Sequence, residues 1–288
     1  MQVADSPPAM SASKQLYSEG YCLHVFPFSL YSIMARFTYV LGCQVSIGTS
    51  AARPQIDLRL VNLHKDENIS EDFLLTVNPK GQVPVLTGGD LSTPITDSLD
   101  ISYWLCSHFP NMLPDAHKST IKDLLSQLHG FEGLSLSVPS KADRLRGVPC
   151  LAVDDLLSRT DISKGYRRAL EYKRKFHSDT QERALEDAVV SNAEGRVQSL
   201  FANILLVRCC PDSAEAGTWI FRDATVLDAH LVPLIARLLD CERTDLVPAE
   251  LQNYALAVMK GPEWQEVTHG RRTTWDISMG HVHLLQKL

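Results

Sequence analysis

The stretch Asn78-Pro79-Lys80-Gly81-Gln82-Val83-Pro84-Val85-Leu86 constrains the fold more than any other in the chain. Val83 to Leu86 has the apolar content of a buried strand, yet Pro84 cannot donate to a ladder. A cis Val83–Pro84 bond accounts for it, because that turn shows the N–H and C=O of Val83 to a ligand. Ten residues on, Pro94-Ile95-Thr96-Asp97-Ser98-Leu99-Asp100-Ile101 places Asp97 and Ser98 where a helix begins. Free N–H groups there bind a carboxylate, and Asp97 can pair with an ammonium. Together these parts would grip an extended, peptide-like ligand, with its backbone along Val83 and its amino-acid end at Asp97-Ser98.

The surrounding pattern supplies a frame. Strand signals fall at 22–26, at Ile56-Asp57-Leu58-Arg59-Leu60-Val61, at Val83 to Leu86 and at Leu91 to Ile95. Helical spacing covers 32–41, about 70–76, and Ser98 to Phe109. This order predicts a small mixed sheet with helices on its faces, its first two strands parallel and Asp90 in a hairpin turn. Phe109-Pro110-Asn111-Met112-Leu113-Pro114 cannot continue a helix and reads as a linker. Beyond it the apolar spacing is helical. The run 185–207 predicts a long helix interrupted near Gly195, and 224–240 another with Pro233 inside. The expected organisation is a disordered leader (1–19), an α/β domain (20–109), a linker (110–115), an all-α domain (116–270) and a tail (271–288) to which no fold is assigned. The connection 42–55 is longer than a helix-to-strand join needs.

Between the first strand and the first helix stand two hydroxyls, Ser29 and Ser32. On this segment alone, either is an N-cap. The segment is not Gly-x-Ser-x-Gly, which argues against an esterase. A hydroxyl at a helix N-terminus can instead donate to an anion, such as a thiolate, that the dipole also favours.

The 288 residues carry a net charge of −6, so no basic surplus is present to neutralise nucleic acid or anionic membrane. The run Arg167-Arg168…Lys173-Arg174-Lys175 reads as a solvated helix face. No apolar stretch approaches the roughly 20 residues that span a bilayer. Seven scattered cysteines without a Cys-x-x-Cys pair fit a reducing cytoplasm and no metal site. Cys209-Cys210 is expected at a buried helix end.

Asn-Pro-Lys-Gly-Gln-Val-Pro-Val-Leu with Thr-Asp-Ser-Leu-x-Ile strongly resembles the glutathione-binding core of cytosolic glutathione S-transferases. The order of a thioredoxin-like domain, a proline-containing linker and an all-helical domain matches as well, over roughly residues 21 to 270. Thr225-Val226-Leu227-Asp228 resembles that family's helix capping box. Residues 218–268, ending Pro262-Glu263-Trp264, look most like fungal members. The glutathione transferase fold is therefore expected.

The resemblance implies a role for each matching position. Val83, before Pro84, would hold the backbone of the glutathione cysteine, and Asp97 and Ser98 the γ-glutamyl end. Gln82 would approach the glycine carboxylate, with His64 and Lys65 as nearby cations. Ser29 takes the place of the catalytic serine of serine-type members, with Ser32 as runner-up. Tyr31, Tyr166 and Tyr172 are second-substrate candidates, although packing or surface is the readier reading of each. The implied activity is attack of an activated glutathione thiolate on a small electrophile. A glutathione-dependent cis/trans isomerase and a non-catalytic binding module are the alternatives. A cytoplasmic homodimer and, if the source is fungal, a role in tailoring secondary metabolites complete what the resemblance implies.

Overall fold

The computed structural model describes residues 20–46, 53–138, 140–209, 217–285 and 288. The expected leader, Cys210 and the middle of the 42–55 connection lie outside the described residues. Three strands form one sheet in the order β2-β1-β3. β1 (Tyr21–Val25) pairs in parallel with β2 (Ile56–Leu60) and antiparallel with β3 (Val85–Gly88). The expected strand at 91–95 is reduced to one bridge, in which Leu86 and Ile95 exchange N–H···O bonds of 2.9 Å. Pro94 has no donor with which to extend that ladder. Gly88 and Gly89 carry the turn at positive φ, and Asp90 accepts from the Tyr21 hydroxyl at 2.7 Å.

Helix α1 (Leu30–Val45) crosses between β1 and β2, and α2 (Ser98–His108) lies beside it. At their crossing Gly42 is required, since a Cβ there would stand 2.3 Å from the Phe109 ring. The helical segment expected at about 70–76 is present over 71–77, wound as a π turn from Phe73 to Val77.

The helical region comprises α3 (Lys118–Leu128), α4 (Gly133–Ser137), α5 (Lys141–Arg146), α6 (Leu151–Ser158), α7 (Lys164–His177), α8 (Asp187–Arg208), α9 (Val226–Asp240), α10 (Ala249–Met259) and α11 (Pro262–Thr268). α9 is its axis: it is apolar nearly all round, runs through Pro233, and packs on α1, α3 and α10. The capping box forms as expected, and Asp228 does more than cap. Its fully buried carboxylate accepts from Thr225 N and Oγ1 (2.8 Å each), Ile220 N (3.0 Å) and the Tyr254 hydroxyl (2.7 Å).

α8 is not interrupted at Gly195. One glycine costs about 1 kcal/mol, which the buried stripe Val190, Ala193, Val197, Leu200, Phe201 and Ile204 outweighs. Cys209, expected to be buried, is exposed at the end of this helix.

The tail has a definite place. It forms two short turns, Ile277–Met279 and Val282–Leu284, and Val282 is buried with Phe26, Phe28, Val61 and Val83 of the sheet-bearing domain. Arg237 of α9 ties it down by donating to both Phe28 O and Thr273 O at 2.8 Å. Among the described residues no helix is long and apolar enough to cross a membrane.

Candidate functional site

A cavity of about 770 Å³ opens between the sheet-bearing domain and the helical region. Ser29, Tyr31, Gln82, Val83, Pro84, Asp97 and Ser98 line one side, and His129, Phe131, Lys173 and Phe176 belong to the other.

The Val83–Pro84 bond is cis. The loop that presents it is held by two asparagines: Asn78 Nδ2 donates to Gln82 O (2.9 Å), and Asn68 Nδ2 donates to Gly81 O (2.8 Å). Asn78 Oδ1 also accepts from Lys80 N at 3.0 Å. The sequence motif therefore serves first to fix the backbone at Gln82–Val83.

Ser29 is the N-cap of α1. Its Oγ accepts from Ser32 N at 3.3 Å and points its own hydrogen at Val83 O, 3.5 Å away. The second contact is at the outer limit of a hydrogen bond, so the hydrogen can turn to a ligand at little cost. Ser32 is fully buried, accepts from Phe26 N at 3.3 Å and is absent from the cavity wall. Of the two serines, the structure brings only Ser29 to the cavity.

Asp97 caps α2 through Oδ1, which accepts from Leu99 N (2.8 Å) and Asp100 N (3.2 Å). Its side chain is exposed, leaving the other oxygen for a ligand. Ser98, beside it, is buried at the head of the helix.

The candidate cations after β2 are not on the wall. His64 packs its ring against Phe26 and Trp275, with centroids 5.1 and 4.4 Å apart. Burial and the neighbouring His281 lower its pKa. Lys65 is exposed outside the cavity. The tail, whose course the sequence did not reveal, supplies Trp275.

The tyrosines divide in the same way. Tyr31 is on the wall, accepts from Gly133 N at 3.2 Å, and has its phenol pushed up to about 12 by burial. Tyr166 is buried off the wall and donates to Ile69 O at 2.7 Å, which pins α7 to the loop after β2. Tyr172 is half-buried and also off the wall.

Two groups on the wall were not anticipated. His129 joins a buried chain: its Nε2 lies 2.8 Å from His230 Nδ1, and His230 Nε2 lies 2.8 Å from Ser102 Oγ. With Ser102 donating to Ser98 O, His230 donates to Ser102 and accepts from His129, which leaves His129 Nδ1 as an acceptor. Burial lowers both imidazole pKa values, His230 well below the usual range. The other group is Lys173, read from sequence as part of a solvated face but only 4% exposed. Tyr166, Ala169, Leu170, Lys173 and His177 follow the i, i+3, i+4, i+7, i+11 spacing of one helix face, and that spacing carried the signal of its burial. The pairing of His129 with His230, 101 positions away, left no trace in the sequence.

Comparison with known proteins agrees with this architecture. Residues 51–113 match the family model for the glutathione S-transferase N-terminal domain. A search of the curated proteins found no match. Among solved structures, a bacterial maleyl pyruvate isomerase, a zeta-class glutathione S-transferase, is 18% identical with a TM-score of 0.51, covering 88% of this chain and all of its own. A Pseudomonas putida glutathione transferase holding one glutathione disulfide per subunit is 12% identical with a TM-score of 0.54, covering 88% and 93%. A Pseudomonas fluorescens family member with two glutathiones bound is 13% identical with a TM-score of 0.53, covering 88% and 95%. The chain has the glutathione transferase fold: a thioredoxin-like N-terminal domain with a small mixed sheet, followed by a helical region.

Proposed function

We propose that the chain is a glutathione transferase of the serine type. The observation that carries this reading is the placement of Ser29 Oγ at the N-terminus of α1, 3.5 Å from Val83 O and on the same side of the cavity as Asp97 and Ser98. That glutathione is bound in the Pseudomonas fluorescens structure of the same fold, and glutathione disulfide in the Pseudomonas putida one, supports it. The site also has the donors and acceptors that a γ-glutamyl tripeptide needs. Val83 pairs with the cysteine backbone, the free oxygen of Asp97 takes the ammonium, and the Ser98 hydroxyl and N–H take the adjacent carboxylate.

Ser29 donates its hydroxyl hydrogen to the thiol sulfur and so favours the thiolate. An ordinary thiol titrates near 8.5, and lowering that by two units takes about 2.7 kcal/mol. A hydrogen bond to a charged group contributes about 1.5–3 kcal/mol and the helix terminus about 0.3–1 kcal/mol, which together suffice. Glutathione supplies the nucleophilic sulfur. A small electrophile would sit against Phe131, Leu134 and the wall from Val148 to Val153. The same thiolate would serve a glutathione-dependent isomerase, a reading favoured by the shared fold of the zeta-class isomerase. Product mass separates the two, since transfer adds glutathione and isomerisation adds nothing.

The reading brings with it domains at 20–109 and 116–270, a cytoplasmic setting and a homodimer, the last of which light scattering tests. The likeness of 218–268 to fungal members adds a tailoring role in secondary metabolism.

Calorimetry of glutathione binding at several pH values, in buffers of different ionisation enthalpy, tests the centre of the proposal. Wild type is expected to release a proton near neutral pH and Ser29→Ala to bind without release. Release that survives in Ser29→Ala would transfer the role to the helix N–H groups. Tight binding without release in wild type would leave only a binding module.

A further inference from the structure

Lys173 emerges from the buried face of α7 into the cavity, beside Gly81 and Gln82. Gly81 has φ +58°, and a Cβ on it would lie 3.1 Å from Lys173 Cε and 3.2 Å from Cδ, so the lysine stem runs directly past this loop. Among the described residues its ammonium donates no hydrogen bond and has no carboxylate within ion-pair distance. The acids on the same wall, Asp66, Asp97 and Glu132, do not reach it. Burial lowers its pKa, the Cys150 thiol acts in the opposite sense, and burial and, with it, the Lys173 charge lower the pKa of His177 on the same wall. A second ammonium is close: Lys80 and Lys173 lie 5.7 and 6.0 Å from the centre of the same Phe176 ring.

A buried ammonium without a counter-ion is costly, and a ligand anion relieves that cost. The direction of the bound peptide, on the reading proposed above, says which anion. Its amino-acid end lies at Asp97-Ser98 and its middle at Val83, so its other end runs toward Gln82 and Gly81. Of the cations expected there from sequence, His64 is engaged with Phe26 and Trp275, and Lys65 is exposed outside the cavity.

We propose that Lys173, from the helical region, receives the terminal glycine carboxylate of glutathione at the Gly81 end of the cavity. The ligand then bridges the two parts of the chain, with the sheet-bearing domain holding the γ-glutamyl end and α7 the glycine end.

The test is calorimetric titration of wild type, Lys173→Met and Lys173→Arg with glutathione and with its glycine ethyl ester. Wild type is expected to bind glutathione at least about 10-fold more tightly than the ester, as loss of a charge-assisted pair requires. Lys173→Met should bind both alike, at the wild-type affinity for the ester, and Lys173→Arg should keep part of the preference. Thermal melts without ligand should show Lys173→Met at least as stable as wild type, because an uncompensated buried charge has gone. A preference for glutathione that persists in Lys173→Met, or an equal loss of both ligands there, would overturn the assignment while leaving glutathione in the site. Failure of wild type to bind either ligand would instead remove the glutathione reading itself, and the assignment with it.

Discussion

At the scale of single residues, several side chains carry two duties, and variants can part them. Asp97 caps α2 with one oxygen and offers the other to the cavity. Serine caps nearly as well as aspartate but has no charge for an ammonium. Asp97→Ser is therefore expected to leave the melting temperature within a degree or two while glutathione binding weakens about 10-fold. Asp97→Ala loses the cap as well and should cost about 1 kcal/mol more in stability. Calorimetry and thermal unfolding of the pair check both statements, and equal affinity in wild type and Asp97→Ser would remove Asp97 from the ligand. Asp228 is the opposite case, a purely structural carboxylate. Asp228→Ala strands buried donors from Ile220, Thr225 and Tyr254 and should destabilise by about 3 kcal/mol or more in denaturant unfolding.

At the scale of elements, the site depends on where helices begin and how closely they cross. α1 and α2 each start at the cavity with a polar cap, so the N-terminal ends of both helices lie on one wall. Their relative position is set partly by Gly42, which lets Phe109 lie against α1. Gly42→Ala forces a methyl into the ring, and overpacking of this kind costs about 1–3 kcal/mol. Unfolding measurements should show that loss, and an increase in stability would mean the crossing is looser than described. α7 contributes through one face: Tyr166 fastens it to Ile69 O, and Lys173, two turns further on, reaches Gly81. α8 shows the limit of local rules, since Gly195 leaves it unbroken where tertiary burial outweighs propensity.

At the scale of the whole molecule, burial of histidines couples stability to pH. His24 is 3% exposed, bonded to Thr87 Oγ1 at 3.0 Å, and lowered to about 4 by burial and by Arg59. His129 and His230 are lowered in the same direction by burial. The unfolded chain titrates these groups near 6.5, so below that pH it binds more protons than the folded one. Stability is therefore expected to fall as pH drops from about 6.5 toward 4, with His24 accounting for at most about 3 kcal/mol. Melting temperature against pH for wild type and His24→Gln checks this: the variant should have a shallower acid limb, and identical limbs would place the acid sensitivity elsewhere.

How much of this was legible depended on the range of each interaction. The capping box at Thr225 and Asp228, the head of α2 and the cis bond before Pro84 are local, satisfied within a few residues of the chain, and the sequence alone determined them, whereas for the cap of α1 it narrowed the choice to Ser29 or Ser32. The parallel first pair of strands followed from the crossover rule, and the fold class from the order of elements. What only the tertiary structure decided was long-range. The tail's Trp275 lies against His64, His129 meets His230, and Lys173 lies along Gly81. The reason is physical: backbone groups near a helix end or turn must find partners close by, whereas a buried ring or ammonium is placed by whichever distant surfaces the packed core brings against it.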